Sequence, residues 1–215
     1  MTTKWTVPKC FEGKTVAVLG AGPSINQELA DAVRHLPRIC ARYGCTFALD
    51  ADMVIAVDAP PNIGTPAPGT VGADPGFWPY ALANFPGLKI TAVETEDLPP
   101  EVMFFWHRWE MVTVSTVPSH IVEFRNNAMS AIHIAEQAGA TKILLLGMDP
   151  EIYDANTGIF LTAGLKQLTA ELQAKGIAVE RIKTLEDVRE HAPPTQEPGE
   201  SRPTATLRGG FFSPT

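Results

Sequence analysis

The stretch VAVLGAGPSINQELADAV, residues 16–33, decides how the rest of the chain is read. Its first part belongs to an apolar, β-branched run, KTVAVLG at 14–20. Such a run reads as a strand covered on both faces, the kind found in parallel sheets. A turn follows, Gly20-Ala21-Gly22-Pro23-Ser24, and then a helix pattern. Ser24 with Gln27 three residues on has capping-box spacing. A helix over 25–35 is therefore expected, with Ile25, Leu29, Ala32 and Val33 on its apolar side.

The same alternation continues outward in the sequence. Strands are expected at 38–43 (RICARY), 53–58 (MVIAVD), 88–94, 111–116, 141–149 (TKILLLGMD) and 177–182. Helices are expected at 126–138, where Ala128, Ala131, Ala135 and Ala138 form a small-residue face, at 161–175 before Gly176, and at 184–191. Strands alternating with helices predict an α/β fold: a Rossmann-like, doubly wound, mostly parallel sheet with helices on both faces. It would form one domain over 14–191, after an N-terminal arm at 1–13. The tail from 192 is rich in Pro, Gly, Ser and Thr, a composition expected to be flexible. Residues 59–76 hold five prolines and four glycines, so they are expected to be a long loop, either functional or mobile.

Composition narrows the function classes. The 215 residues are 45% hydrophobic and carry a formal net charge of −7. An acidic chain is a poor general ligand for nucleic-acid backbone, which needs clustered Lys and Arg. No apolar run approaches the ~18 residues of a membrane helix, and the first residues lack a signal-peptide core, so a cytoplasmic setting is expected. Cys10, Cys40 and Cys45 form no CxxC, which argues against a disulfide framework or a structural zinc. Cys40 reads as a small buried hydrophobe.

In doubly wound folds ligands sit beyond the carboxyl ends of the strands. That rule gathers Gly20–Ser24, Asp58 and Gly147–Asp149 into one candidate site. The dinucleotide fingerprint GxGxxG with a later acid is not met. Ile25 replaces the third glycine, and the second strand ends in CARYGC with Arg42 and no acid. A Walker motif is also absent. The turn keeps two glycines for close backbone approach and a helix start for a phosphate. The competing reading is a strand-to-helix turn that uses glycine for geometry alone.

Three blocks together resemble a known superfamily: VLGAGPS (18–24), ADMVIAVDA (51–59) and NNAMSAIHIAEQAGATKILLLGMD (126–149). The set is similar to the bacterial sialyltransferases with a GxGPSL turn, to the related 6-hydroxymethylpterin diphosphokinase-like proteins, and to small phage proteins of that superfamily. The resemblance covers roughly residues 14–182. It implies a nucleotide pocket lined by Gly20, Ala21, Gly22, Pro23 and Ser24, with Asp58 reading a ribose hydroxyl or a metal-bound phosphate. Arg42 stands where the sialyltransferases tend to have asparagine, and is read either as a bidentate phosphate partner or as a surface charge. Asn126 and Asn127 replace a Thr/Ser-Ser-Gly helix start, where either residue also suits a cap. Gly147 and Asp149 match a GxD strand end, with Asp149 orienting a base, sugar or metal. Where the sialyltransferases carry a lid with a catalytic histidine and tyrosines, this chain offers Tyr153 and Asp154.

His120, in a loop before the Asn126 block, is the best-placed histidine for chemistry. His133 reads as a satisfied core histidine, and His35 as a helix-end charge. The aromatic segment 102–109, VMFFWHRW, reads as core or as an interface that could join two copies of the chain. The expected function is nucleotide binding, with or without magnesium, in a transferase that uses a nucleotide-activated donor. The alternative is a non-catalytic nucleotide-binding protein or a phage accessory or assembly protein.

Overall fold

The computed structural model describes residues 6–57, 76–91, 102–104, 106–108, 120–122, 126–152, 155–189 and 191. Its centre is a seven-stranded sheet. In chain order the strands are β1 (Thr15–Leu19), β2 (Arg38–Ala41), β3 (Met53–Ala56), β4 (Leu88–Thr91), β5 (Val102–Phe104), β8 (Lys142–Leu146) and β9 (Ala178–Ile182). Every pairing is parallel, and the spatial order is β5-β4-β3-β2-β1-β8-β9. Two further strands, β6 (Trp106–Arg108) and β7 (His120–Val122), form a separate parallel pair. The helices are α1 (Gln27–Ala32), α2 (Phe77–Asn84), α3 (Asn127–Gln137), α4 (Ala155–Ala174) and α5 (Leu185–Arg189).

Side chains alternate across the strands, so each strand feeds two cores. Val16, Val18, Ile39, Ile55, Ile143 and Leu145 pack with α3 and the buried end of α4. Ala17, Leu19, Cys40, Val54, Leu144 and Leu146 pack with α1, α2 and α5 on the other face. The expected α/β, doubly wound arrangement is what forms. The alanines of α3 act as expected: Ala131, Ala135 and Ala138 are fully buried, which lets the helix axis lie close to β1, β2 and β3. His133 is buried in that helix, 3.3 Å from Gln137 Nε2 and 3.6 Å from Glu136. From the N-terminal segment, Val7 and Phe11 join the α3-side core, and Phe11 N–H donates to the carbonyl of Ala138.

Several expected boundaries move, each for a local reason. The helix expected at 25–35 spans only 27–32. Its cap is Asn26, whose Oδ1 accepts from Leu29 N–H, because Ser24 N–H is drawn to Asp149 and the Ile25 side chain enters the core. The strand expected at 38–43 stops at Ala41, where Arg42 turns the chain with a left-handed φ of 49° into a 3₁₀ turn over Arg42–Thr46. The helix expected at 161–175 begins at Ala155. Asn156, Thr157 and Gly158 are poor helix formers and hide its first turns in the sequence. No helix was expected at α2; its Pro79 occupies the first turn, where a missing N–H costs little. The described parts of the aromatic segment form β5 in the main sheet and β6 in the separate pair. The 59–76 loop (apart from Gly76), the strand expected at 111–116 and the tail from 192 lie outside the described residues.

Candidate functional site

The chain runs from β1 stepwise to β5 on one side, then returns to place β8 and β9 on the other. The switch point is therefore the crevice beyond the carboxyl ends of β1 and β8, where such folds bind ligands. Gly20, Gly22, Ser24, Gly147 and Asp149 meet there. Gly20 N–H donates to Leu146 O at 2.8 Å, Gly22 N–H to Gly147 O at 3.0 Å, and Ser24 N–H to Asp149 Oδ2 at 2.9 Å. Gly22 is required by this approach. A Cβ at that position would strike Asp149 Oδ2 and lie 2.7 Å from Gly147 O.

Asp149 is 9% exposed. Its second oxygen lies 3.4 Å from Nη2 of Arg181, on β9. Arg181 also reaches Glu151 at 2.8 Å and Met148 O at 2.7 Å. The Arg181 hydrogen bonds, and after them a bond to its own backbone, pull the Glu151 carboxyl down to about 2. Glu151 in turn raises Arg181 further. Neither Arg181 nor Glu151 figures among the expected site residues. The signal was present in the pairing, since β9 must lie beside β8 and place a cation next to the GxD end, but edge-strand neighbours are not legible from one chain alone.

A second group of expected residues gathers at β3. Asn126 caps α3, its Oδ1 accepting from Ala128 N–H at 2.8 Å. Asn127 Oδ1 accepts from Val57 N–H at 2.7 Å and so ties the helix start to the end of β3. Asp58, the next residue, lies outside the described residues, as do Tyr153 and Asp154. For His120 the backbone is placed in β7.

Arg42 stands between the two groups, at the end of β2. Its left-handed backbone is the only such case outside glycine among the described residues, and for a side chain of this type it costs about 1–2 kcal/mol. The turn that follows is wedged against β1. A Cβ on Gly44 would strike Leu19 O and lie 3.1 Å from Gly20 O. The Arg42 guanidinium lies 5.7 Å from the Tyr43 ring centroid, and Tyr43 meets Phe77 edge-on at 5.3 Å. Cys45, in the same turn, has its thiol raised by burial to about 11, against a smaller lowering by its backbone hydrogen bond. It is protonated at neutral pH, unlike a thiolate nucleophile. Burial raises the Cys40 thiol well above its usual value, as expected of a small core hydrophobe.

Among the described residues no group of three or more His, Cys, Asp or Glu is placed to hold a metal ion, and no helix is long and apolar enough to cross a membrane. Comparison with protein-family models finds none that matches, and no curated protein sequence matches this chain.

Proposed function

We propose that this protein binds a nucleotide across the carboxyl ends of β3, β2, β1 and β8. The observation that carries the reading is the meeting of the Gly20–Ser24 turn with Gly147–Asp149 at the switch point. There the sequence spends two close-packed glycines and a nearly buried carboxylate. The likeness of blocks 18–24, 51–59 and 126–149 to the sialyltransferase and pterin diphosphokinase superfamily supports a nucleotide over other ligands. In catalytic form the protein would transfer a group from a nucleotide-activated donor. Positioning and stabilisation of the leaving phosphate would supply the rate. The second reading, binding without turnover, is favoured by one feature: both carboxylate oxygens of Asp149 already face protein donors.

The test is thermal unfolding against CMP, CDP, CTP, AMP, ATP, GTP, UDP-sugars, CMP-sialic acid, NAD and S-adenosylmethionine, with and without magnesium. Ligand at a hundred times its Kd adds about 2.7 kcal/mol, which for a chain of this length raises Tm by roughly 5–10 °C. A shift with one nucleotide series, and none with NAD, is the expected result. Flat melting curves throughout would overturn nucleotide binding. A responding nucleotide whose activated sugars are not turned over would leave the non-catalytic form.

A further inference from the structure

We infer that Arg181, on the last strand of the sheet, is a positioning residue of this site: it fixes the Asp149 carboxylate to accept the vicinal hydroxyls of a sugar, so that the site selects ribonucleotides over their deoxy counterparts. This inference rests on the nucleotide reading of the same crevice and adds which part of the ligand meets β8.

Asp149 is held from two sides. Its Oδ2 accepts from Ser24 N–H at 2.9 Å, and its Oδ1 lies 3.4 Å from Arg181 Nη2. The glycine turn lies directly on this carboxylate, which is why Gly22 has no room for a Cβ. A carboxylate offers about four acceptor positions, two on each oxygen. The protein meets one on each oxygen, and the Arg181 contact is long for a hydrogen bond. One position is left on each oxygen, side by side. Adjacent hydroxyls of a sugar present two donors in the same way. A phosphate at this point would meet like charge in a nearly buried setting, where repulsion is weakly screened.

The carboxylate accepts in this way only as an anion held in one direction. A nearly buried carboxylate needs a compensating charge, and Glu151 close by adds a second negative one. Arg181 answers both needs. Its Nη1 and Nη2 hold Glu151 at 2.8 and 3.2 Å, a bidentate pair. Its Nη2 also donates to Met148 O at 2.7 Å. The guanidinium thus grips the chain on both sides of Asp149, at 148 and at 151, and places its charge beside the acid between them. Its contact to Asp149 itself is the longest that it makes. Arg181 therefore sets the direction and charge of that carboxylate without using up its capacity to accept from a ligand.

The experiment is calorimetric titration of the full chain with the ribonucleoside 5′-monophosphate of each common base and with its 2′-deoxy and 3′-deoxy counterparts. The proteins are wild type, Arg181→Met and Arg181→Lys, with Tm measured without ligand to report the fold. In wild type the best-bound ribonucleotide is expected to bind roughly 10–100-fold tighter than either deoxy counterpart, the cost of leaving a nearly buried acceptor without its donor. In Arg181→Met that gap should close to about twofold. Arg181→Lys keeps the cation without the fork, and its gap should fall between the two. A residue that only holds the fold would weaken ribonucleotide and deoxynucleotide alike, so an unchanged gap in Arg181→Met overturns the inference. If Arg181→Met does not fold, Arg181→Lys decides: a reduced gap supports the inference and a full one overturns it. Equal wild-type affinity for ribonucleotide and deoxynucleotide also overturns it and leaves nucleotide binding standing. A wild type that binds no member of any series overturns the nucleotide reading itself. If both variants unfold, Arg181 is a structural residue and the inference fails.

Discussion

The two ends of the sheet differ in how they are built. At the amino end charges close on one another. Arg38, 2% exposed at the start of β2, pairs with Asp50 at 2.9 Å, Asp50 also takes Arg34, and Asp52 accepts from the Arg38 N–H. Lys142, at the start of β8, joins Glu180 and His191 in a three-way contact with each link near 3 Å. The carboxyl end has an ion pair too, Arg181–Glu151 at 2.8 Å, and the amino end has a glycine without room for a Cβ, Gly87. The carboxyl end differs in its strained Arg42 and in Gly22 pressed against the Asp149 carboxylate. The closed ion pairs of the amino end fix the frame and ask nothing of a ligand. Backbone strain and a glycine pressed against a carboxylate cost stability, and they are tolerated where a surface must have a particular shape.

The contrast can be broken by substitution. The largest effect is expected for Gly44→Ala. The added Cβ meets backbone of β1 that cannot rotate away, and overpacking of that kind costs about 3 kcal/mol, or roughly 10 °C in a chain of this size. A melting temperature within 2 °C of wild type would mean the wedge between the Arg42 turn and β1 is loose.

At the amino end the order of two variants is the test. Asp50→Ala leaves Arg38 buried without its carboxylate and is expected to cost about 2 kcal/mol, less than a fully buried pair because Asp50 is half exposed. Arg38→Met replaces the buried cation by an apolar side chain of similar length, and removes an Nε that finds no hydrogen-bond partner among the described residues. It is expected to cost under about 1 kcal/mol. Chemical denaturation gives both values, and the reverse order would show that the Arg38 cation itself stabilises the fold.

Asp149→Ala removes the acceptor for Ser24 N–H and the partner of Arg181, and is expected to cost about 1.5 kcal/mol. Asp149→Asn keeps the acceptor and should recover most of that. The Ser24 amide should exchange with solvent faster in the alanine variant only. Equal exchange in both would show that the turn holds itself.

The smallest effect is with pH. Burial pushes the Asp50 carboxyl up, but Arg38 and then Arg34 outweigh it and hold the group below its ordinary value. A carboxyl lowered by folding contributes stability above its unfolded value, and that contribution is lost as pH falls through the folded one. The stability gap between wild type and Asp50→Asn should thus be full at neutral pH and shrink below about pH 4. A gap that is constant down to pH 2 would remove Asp50 from the acid response.

How much of this was legible follows from the range of the interactions. β1, β3, β8 and α3 show in the sequence because burial writes apolar runs and small-residue faces directly into it. The pairing of the glycine turn with Gly147–Asp149 follows from the topology rule once those strands are read. The true start of α1 was hidden, because Ser24 looks like a cap until a carboxylate 125 residues away takes its N–H. The turn at Arg42 was hidden for a similar reason. RICARY reads as one strand, and only the fit of Gly44 against Leu19 O ends it at Ala41. α2 escaped because its aromatics follow a proline- and glycine-rich stretch and Pro79 looks like a breaker. The Arg181–Glu151 pair depends on which strand lies at the sheet edge, which no local pattern records.

The central claim is that the carboxyl end of the sheet, and not the amino end, receives a nucleotide. It is tested most directly by titrating the isotope-labelled protein with a nucleoside 5′-phosphate and following backbone amide resonances. The account predicts saturable shifts concentrated at Gly20–Ser24, Arg42–Gly44 and Gly147–Asp149, with Arg38 and Lys142 unmoved. Shifts centred on Arg38 or Lys142, or none at any nucleotide concentration up to the millimolar range, would contradict it.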